Sequence, residues 1–163
     1  MKSRKLRTLA ELRRTIAGLR RRGKRIVLAN GCFDLFHIGH VRYLGAAKAR
    51  GDVLVVALNS DASVRALKGP GRPVMHQSER AAILAAFKCV DYVTVFGDPN
   101  VEKILLSLKP EVHAKGSDYT VKTVPERETV KSYGGKIYIA GGPKVRSTRD
   151  LVKRIVSRRA GNG

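Results

Sequence analysis

Two histidines three residues apart enclose a glycine shortly after an apolar run that predicts a buried strand. The run covers residues 25–29 and ends at Asn30-Gly31, and His37 and His40 stand on either side of Gly39, where the next helix should begin. N–H groups at a helix start are unpaired and carry the positive end of the helix dipole, so they bind polyphosphates well. We therefore expect a phosphate site, at which both imidazoles donate hydrogen bonds to phosphoryl oxygens as charge builds up during transfer.

Two other interpretations of these histidines stay open on the residues alone. Either one could be a half-buried structural residue, which is common for an imidazole. Cys32, His37 and His40 could instead bind zinc, but no second cysteine pair or nearby acidic ligand completes a tetrahedral set. The pairing across a glycine after a strand favours a functional role.

The chain has 163 residues, a length that fits one domain, and we expect residues 1–163 to form a single domain. Within it, residues 1–24 should form a basic amphipathic helix and residues 25–158 an α/β core. Cys32 and Cys89 lie in apolar segments and form no disulfide framework, which suits a reducing compartment. Charges interrupt the N-terminus and the apolar runs are strand-sized, so we expect a cytoplasmic protein without a membrane span.

The formal net charge of +20 is concentrated at the two ends of the chain. Residues 1–25 contain 11 Lys and Arg against one Glu, and residues 144–163 contain 7 against one Asp. No aromatic residue interleaves the N-terminal charges, as a platform for stacking bases would require. We therefore expect a solvated basic surface and no nucleic-acid partner.

Short β-branched runs alternate with helical stretches along the rest of the chain. The predicted strands are 25–29, 53–58, 91–96, 111–114 and 136–140; the predicted helices are about 40–50, 61–67, 78–88, 100–108, 125–133 and 147–158. Strands separated by helices indicate a Rossmann-like, doubly wound parallel sheet of about five strands, with the N-terminal helix as an addition. Ligands of such sheets bind beyond the carboxyl ends of the strands. The sequence has neither a Gly-x-Gly-x-x-Gly fingerprint nor a Walker A loop.

Four strand-to-helix junctions are rich in glycine, hydroxyl or charged residues: 30–40, 59–61, 115–119 and 141–148. Together they resemble the cytidylyltransferase-like nucleotidyltransferases, which are marked by a His-x-Gly-His motif after the first strand and a Ser-Thr motif at the last helix. These motifs are His37-Ile-Gly-His40 and Ser147-Thr148 in this chain. The segments 30–40, 59–69 and 115–119 are most similar to the adenylyltransferase domain of bacterial ADP-heptose synthesis, and the likeness runs from about residue 5 to residue 156.

The resemblance implies a reaction and a set of roles. A sugar 1-phosphate, D-glycero-beta-D-manno-heptose 1-phosphate, would attack the α-phosphorus of ATP in the presence of Mg²⁺ and release pyrophosphate. His37 and His40 would stabilise the triphosphate, Lys115 would contact a phosphate, and Asp34 would orient Mg²⁺ or the acceptor unless it only stabilises a turn. The nucleotide would lie against Asn30, Gly31, Cys32, Phe33, Gly39, Lys68, Arg80, Gly116, Asp118, Ser147 and Thr148, and the acceptor near Asn59, Asp61, Arg72 and Tyr119.

Simpler roles compete with several of these assignments. Asp61 or Ser63 could cap the helix that begins near residue 61, and Ser147 and Thr148 could be plain N-caps. Arg149 stands where relatives commonly carry a second threonine. That departure adds charge and removes a hydroxyl group at the phosphate end.

Other functions remain as alternatives. Within the fold these are cytidylyl transfer to glycerol 3-phosphate or a related alcohol phosphate, and adenylyl transfer to FMN. The chain is too short for the tRNA-binding domains of a class I aminoacyl-tRNA synthetase and has no Lys-Met-Ser-Lys-Ser sequence. A basic nucleic-acid-binding module without catalysis is the non-enzyme alternative. The resemblance also implies a homodimer.

Overall fold

The computed structural model describes residues 3–142, which form five strands and six helices. The strands are β1 (Ile26–Gly31), β2 (Val53–Asn59), β3 (Tyr92–Phe96), β4 (Val112–Gly116) and β5 (Lys136–Ala140). The helices are α1 (Leu9–Arg21), α2 (Ile38–Lys48), α3 (Asp61–Lys68), α4 (Gln77–Ala86), α5 (Glu102–Leu108) and α6 (Arg127–Ser132).

All five strands are parallel and stand in the order β3-β2-β1-β4-β5. The chain builds the sheet outward from β1 through β2 to β3, and then returns to the other side of β1 for β4 and β5. This reversal creates a crevice at the carboxyl ends of β1 and β4, which is where doubly wound sheets bind their ligands. The His-x-Gly-His segment follows β1 directly and so lies at that crevice.

Helices cover both faces of the sheet, as the predicted doubly wound fold requires. One core contains side chains of α2 and α4, including Leu44 and Leu84. The other contains side chains of α1, α5 and α6, including Leu12 and Ile104. Strand β2 is buried along its whole length, as expected for a parallel strand with helices on both sides. The predicted fold class is therefore confirmed.

Most predicted element bounds agree with the structure within two residues, and the differences bear on the site. Strands β1 and β4 continue to Gly31 and Gly116, so Asn30 and Lys115 belong to strand ends and not to loops. The predicted helix 147–158, together with Ser147, Thr148 and Arg149, lies outside the described residues.

The segment before α1 lies along the outer edge of β3. Val93 donates its N–H to the Lys5 carbonyl at 2.9 Å and accepts from the Arg7 N–H at 2.9 Å, which forms a parallel bridge centred on Leu6. Thr8 and Glu11 then form a capping box at the start of α1. The N-terminal helix is thus joined to the sheet by main-chain hydrogen bonds as well as by its buried face.

None of the helices formed by residues 3–142 has the length and apolar character needed to cross a membrane.

Candidate active site

The loop between β1 and α2 carries its backbone in an unusual conformation. Phe33 and Leu35 have positive φ angles of 48° and 47°, which non-glycine residues adopt at an energetic cost. The Phe33 ring is buried next to Gly31, where a Cβ atom would lie only 3.1 Å from that ring. Gly31 therefore makes room for Phe33, and the strained turn brings the following residues to the carboxyl end of β1.

His37 is the N-cap of α2, and its ring is held by the backbone of the first turn. Its Nδ1 accepts a hydrogen bond from the Gly39 N–H at 3.1 Å. The His40 N–H bonds to the His37 carbonyl at 2.9 Å, so two N–H groups of this turn are already paired. The expectation of unpaired helix-start donors is corrected for Gly39 and His40, and this leaves the side chains as the more important donors.

His40 completes the turn in a reciprocal way. Its Nδ1 accepts from the His37 N–H at 3.4 Å, and the two imidazole rings stack with centroids 3.8 Å apart. A ring nitrogen that accepts an N–H bond carries no proton, so a neutral imidazole then has its proton on Nε2. Both histidines are therefore Nε2–H donors in this arrangement.

Aromatic packing keeps His40 uncharged. Its ring lies 5.2 Å from the Phe33 ring and 5.0 Å from the Phe36 ring, measured between centroids. Burial, with the neighbouring His37 as a smaller contribution, lowers the pKa of His40 to about 4. At neutral pH this residue acts as a neutral hydrogen-bond donor and not as a cation. Phe36 is not among the predicted site residues, although an aromatic residue directly before the motif was a visible signal.

Asp34 joins the β1–α2 loop to the segment that follows α3. Its carboxylate accepts hydrogen bonds from the N–H groups of Val74 and Met75 at 3.0 and 3.1 Å, and from the Arg72 guanidinium at 3.0 Å. The side chain is buried, and these contacts engage both carboxylate oxygens. Arg72, which sequence analysis placed at the acceptor, is thereby held at the edge of the site.

These contacts do not fit the predicted metal-binding role of Asp34. A carboxylate oxygen that accepts from N–H donors has little free capacity for a cation, and Mg²⁺ requires near-octahedral oxygen coordination. Residues 3–142 contain no group of three or more His, Cys, Asp or Glu side chains that could hold a metal ion. The same finding leaves the zinc alternative at Cys32 without support in this part of the chain.

Arg80 links the ends of β1 and β2 through hydrogen bonds. Its side chain is fully buried and donates to the carbonyls of Cys32, Asn59 (2.9 Å) and Met75 (3.0 Å), and to the Asp61 carboxylate at 2.7 Å. The prediction of a triphosphate contact by Arg80 is therefore corrected. A buried guanidinium that makes four hydrogen bonds to protein acceptors holds the strand ends in position.

The helix cap predicted at Asp61 or Ser63 is wrong. Helix α3 begins at Asp61, and the side chain of Ser60 accepts from the Ser63 N–H at 3.2 Å as its N-cap. The Asn59 amide donates to the Ser63 hydroxyl at 2.9 Å and is buried. Asn59 and Asp61 thus hold α3 and α4 in place, and a contact between either of them and the acceptor stays a prediction.

Lys115 lies beside β1 in a buried charged cluster. Its Nζ is 3.1 Å from Glu126 Oε2 and 3.2 Å from Asn30 Oδ1, and the side chains of Lys115 and Glu126 are 7% and 6% exposed. Glu126 balances the Lys115 charge, which favours a positioning role for Lys115; the expected direct phosphate contact stays a prediction. Glu126 is not among the predicted site residues, and nothing in its sequence position indicates that it pairs with Lys115.

Three further residues of the predicted site are exposed on the surface. Lys68 and Asp118 are exposed, and the Tyr119 ring lies 5.1 Å from Lys115 Nζ with about 38% of the residue exposed. Burial raises the pKa of the nearby Cys32 thiol, with Lys68 acting in the opposite direction, so Cys32 is a neutral neighbour of the site. Gly116 ends β4 between Lys115 and this exposed loop.

Known proteins share this arrangement of sequence and fold. The chain is 47% identical over 154 residues to Bifunctional protein HldE of Syntrophotalea carbinolica, a match that covers 94% of this chain and 31% of that protein. It is 50% identical over 137 residues to Bifunctional protein HldE of Pelobacter propionicus, covering 84% of this chain and 28% of that protein. The chain therefore spans about a third of the length of the curated relatives it matches.

Two solved structures share the fold of this chain, and a family model matches its sequence. The lipopolysaccharide core biosynthesis protein from Thermoplasma volcanium GSS1 superposes with a TM-score of 0.63 at 27% identity, covering 74% of this chain and 100% of that one. A pantoate-beta-alanine ligase from Francisella tularensis reaches 0.59 at 16% identity, over 88% and 68% of the two chains, and supports the fold alone. Residues 28–159 match the family model described as Cytidylyltransferase-like, and the chain therefore belongs to the cytidylyltransferase-like family.

Proposed function

We propose that this chain transfers AMP from ATP to a sugar 1-phosphate, namely D-glycero-beta-D-manno-heptose 1-phosphate, and releases pyrophosphate and the ADP-sugar. The observation that carries the nucleotidyl transfer is the pair of imidazoles whose Nδ1 atoms both accept backbone N–H groups, so that both present Nε2–H donors. The choice of sugar is supported by the similarity to the relatives named HldE and by the motifs at the strand ends.

The reaction needs little proton transfer from the protein. A phosphate oxygen of the sugar 1-phosphate attacks the α-phosphorus of ATP, and the bond from that phosphorus to the bridging oxygen of the β-phosphate breaks. The attacking oxygen is largely ionised at neutral pH, and pyrophosphate leaves as an anion. The protein must mainly position the two substrates and stabilise negative charge, which neutral donors at His37 and His40 can do without a change of protonation state.

Mg²⁺ is proposed as the cofactor that arrives with the triphosphate. Bound to phosphate oxygens, it would neutralise charge on the nucleotide. Because the Asp34 carboxylate is occupied by Arg72, Val74 and Met75, we assign Asp34 to positioning the loop and not to holding this ion.

The remaining substrate contacts are assigned mainly to residues whose side chains are exposed to solvent. Lys68 is exposed near Cys32 and is proposed to contact the triphosphate. Asp118 and Tyr119 are exposed beyond β4 and are proposed to contact the ribose and the acceptor. Ser147 and Thr148, which lie outside the described residues, keep their proposed role at the β- and γ-phosphates. The family match over residues 28–159 supports the proposed catalytic core of 25–158 within one domain. A cytoplasmic location and a homodimer are also proposed.

The test is pyrophosphate release from each of ATP, CTP, GTP and UTP against three acceptors: the heptose 1-phosphate, glycerol 3-phosphate and FMN. We expect turnover with ATP and the heptose phosphate, with the ADP-sugar identified by mass spectrometry. Turnover with CTP and glycerol 3-phosphate alone would replace this proposal by cytidylyl transfer. The absence of all turnover, together with tight DNA binding at moderate salt, would favour the basic binding module, because contacts made only through phosphates weaken steeply with salt.

A further inference from the structure

The orientation of the Asn30 amide is fixed by Lys115. An ammonium group can only donate hydrogen bonds, so the Asn30 atom that lies 3.2 Å from Lys115 Nζ must be the carbonyl oxygen Oδ1. The amide nitrogen Nδ2 is then on the opposite side of the group. Glu126 holds the ammonium in place from its other side, which makes this orientation difficult to reverse.

The same oxygen determines the tautomer of His113. His113 Nε2 lies 3.2 Å from Asn30 Oδ1, and because that oxygen can only accept, Nε2 must carry the proton. His113 Nδ1 is left without a proton, buried and without a hydrogen-bond partner among residues 3–142. Burial lowers the pKa of His113 to about 3, so the ring stays neutral. Two donors from β4 therefore use the acceptor capacity of Asn30 Oδ1.

Asn30 Nδ2, in contrast to Oδ1, makes no hydrogen bond to residues 3–142. It is not among the fully buried unpartnered atoms of that range; Asn30 as a whole is half-buried, so this nitrogen keeps some accessible surface. Asn30 is the penultimate residue of β1, at the strand end next to the β1–β4 crevice. An amide group that is fixed on one side and open on the other is preorganised for a ligand.

We infer that Asn30 is a donor-only ligand contact, whose Nδ2–H groups bind an acceptor oxygen of a phosphorylated substrate, and that Lys115 and His113 are the residues that position it. The inference rests on the proposed function, which supplies the phosphorylated ligands. Because Glu126 balances the charge of Lys115, the hydrogen bond from Asn30 to the ligand is a neutral one. It selects a ligand oxygen by its position and not by its charge. A ligand hydroxyl that must donate finds no acceptor at Asn30 Oδ1.

The Asn30→Asp variant separates this role from a structural one. Aspartate keeps the acceptor oxygen Oδ1 for Lys115 and His113, but it replaces the Nδ2–H₂ group by a second carboxylate oxygen that faces the ligand. We expect the variant to fold and its affinity for ATP or for the sugar 1-phosphate to fall by about tenfold or more, as measured by calorimetry with each ligand alone. The ligand that is weakened identifies the source of the acceptor oxygen. Asn100→Asp, at an exposed position outside the site, should leave both affinities unchanged.

A second pair of variants tests the positioning role if Asn30→Asp does not fold. His113→Leu removes the donor that holds Oδ1 and should weaken the same ligand, whereas His113→Gln restores an N–H and should recover part of the affinity. Nitrogen-15 spectra of the wild-type protein should show His113 as the Nε2–H tautomer from pH 5 to pH 8.

The results that overturn the inference are distinct from those that overturn the proposed function. If Asn30→Asp folds and binds both ligands as tightly as the wild type, the donor contact is excluded even when the wild-type enzyme is active. If Asn30→Asp does not fold, unchanged affinities in His113→Leu exclude it instead. An Nδ1–H tautomer of His113 excludes the orientation of the amide. Wild-type protein that binds both ligands and performs no adenylyl transfer contradicts the proposed function and leaves the affinity comparison valid, and wild-type protein that binds neither contradicts both.

Discussion

Glu126 Oε2 and Lys115 Nζ lie 3.1 Å apart, and both side chains are more than nine-tenths buried beside the end of β1. Residues 115 and 126 are joined through an exposed loop, yet their side chains meet in the interior. Each charge would be costly to bury alone, so the pair is stable only as a unit. This unit fixes Asn30 and so links the interior of the fold to the substrate crevice.

The first prediction concerns that pair. Glu126→Gln leaves the Lys115 ammonium buried without a counter-charge and should reduce the free energy of unfolding by about 3–5 kcal/mol. Urea denaturation measures the change. Asp98→Asn, which breaks the exposed 3.7 Å pair with Lys103, is the control and should change stability by less than about 1 kcal/mol. A Glu126→Gln protein as stable as this control would show that the buried pair contributes little.

The second prediction separates positioning from metal binding at Asp34. Asp34→Asn replaces one acceptor oxygen by an N–H₂ group that faces donors on Arg72 and the 74–75 backbone, and should cost about 1–3 kcal/mol of stability. The Mg²⁺ concentration that gives half-maximal pyrophosphate release should not change. An increase of more than about tenfold in that concentration would restore Asp34 as a metal ligand.

The third prediction concerns the histidine donors. His40→Ala removes an Nε2–H donor from the transition state and should lower kcat by about 100-fold or more at saturating ATP. His76→Ala is the matched control, because the His76 side chain is 84% exposed and lies outside the motif. Nearly normal turnover in His40→Ala would exclude the role that we assign to this side chain.

The fourth prediction is a loss of stability in mild acid. The pKa values of His40 and His113 are lowered to about 4 and about 3, whereas a histidine in the unfolded chain binds its proton near pH 6.5. Between pH 6.5 and 4 the unfolded state therefore binds more protons, and the free energy of unfolding falls as the pH falls. Each histidine contributes up to about 1.4 kcal/mol per pH unit in that window. Urea denaturation at pH 7, 6 and 5 measures the slope, and His113→Gln should reduce it. An unchanged slope in that variant would contradict the lowered pKa of His113.

Local sequence patterns were sufficient for most of the fold. The β-branched runs predicted the five strands because a parallel strand between two helical layers is apolar along its length, as β2 is. The carboxyl ends of those strands then located the crevice. The N-cap of α3 was predicted at Asp61 or Ser63, one or three residues after the observed Ser60, because all three are good capping residues and only backbone geometry selects among them.

The chemistry of the site could be predicted only where neighbours in sequence are also neighbours in space. His37 and His40 fulfil that condition, and their reciprocal capping places them together. The predicted phosphate contacts of Lys115 and Arg80 came from the family resemblance, against a general preference of Lys and Arg for exposed, solvated positions. Their partners, Glu126 and Asp61, are 11 and 19 residues away, and no periodic pattern connects them. Both cations are buried against these partners, which no sequence pattern predicted.

The segment before α1 also has a consequence for how copies of this chain can meet. An outer strand of a sheet offers a row of unsatisfied main-chain groups to any passing chain and is a common starting point for aggregation. Lys5 and Arg7 occupy the N–H and carbonyl of Val93, so a foreign strand cannot add to β3 without displacing them.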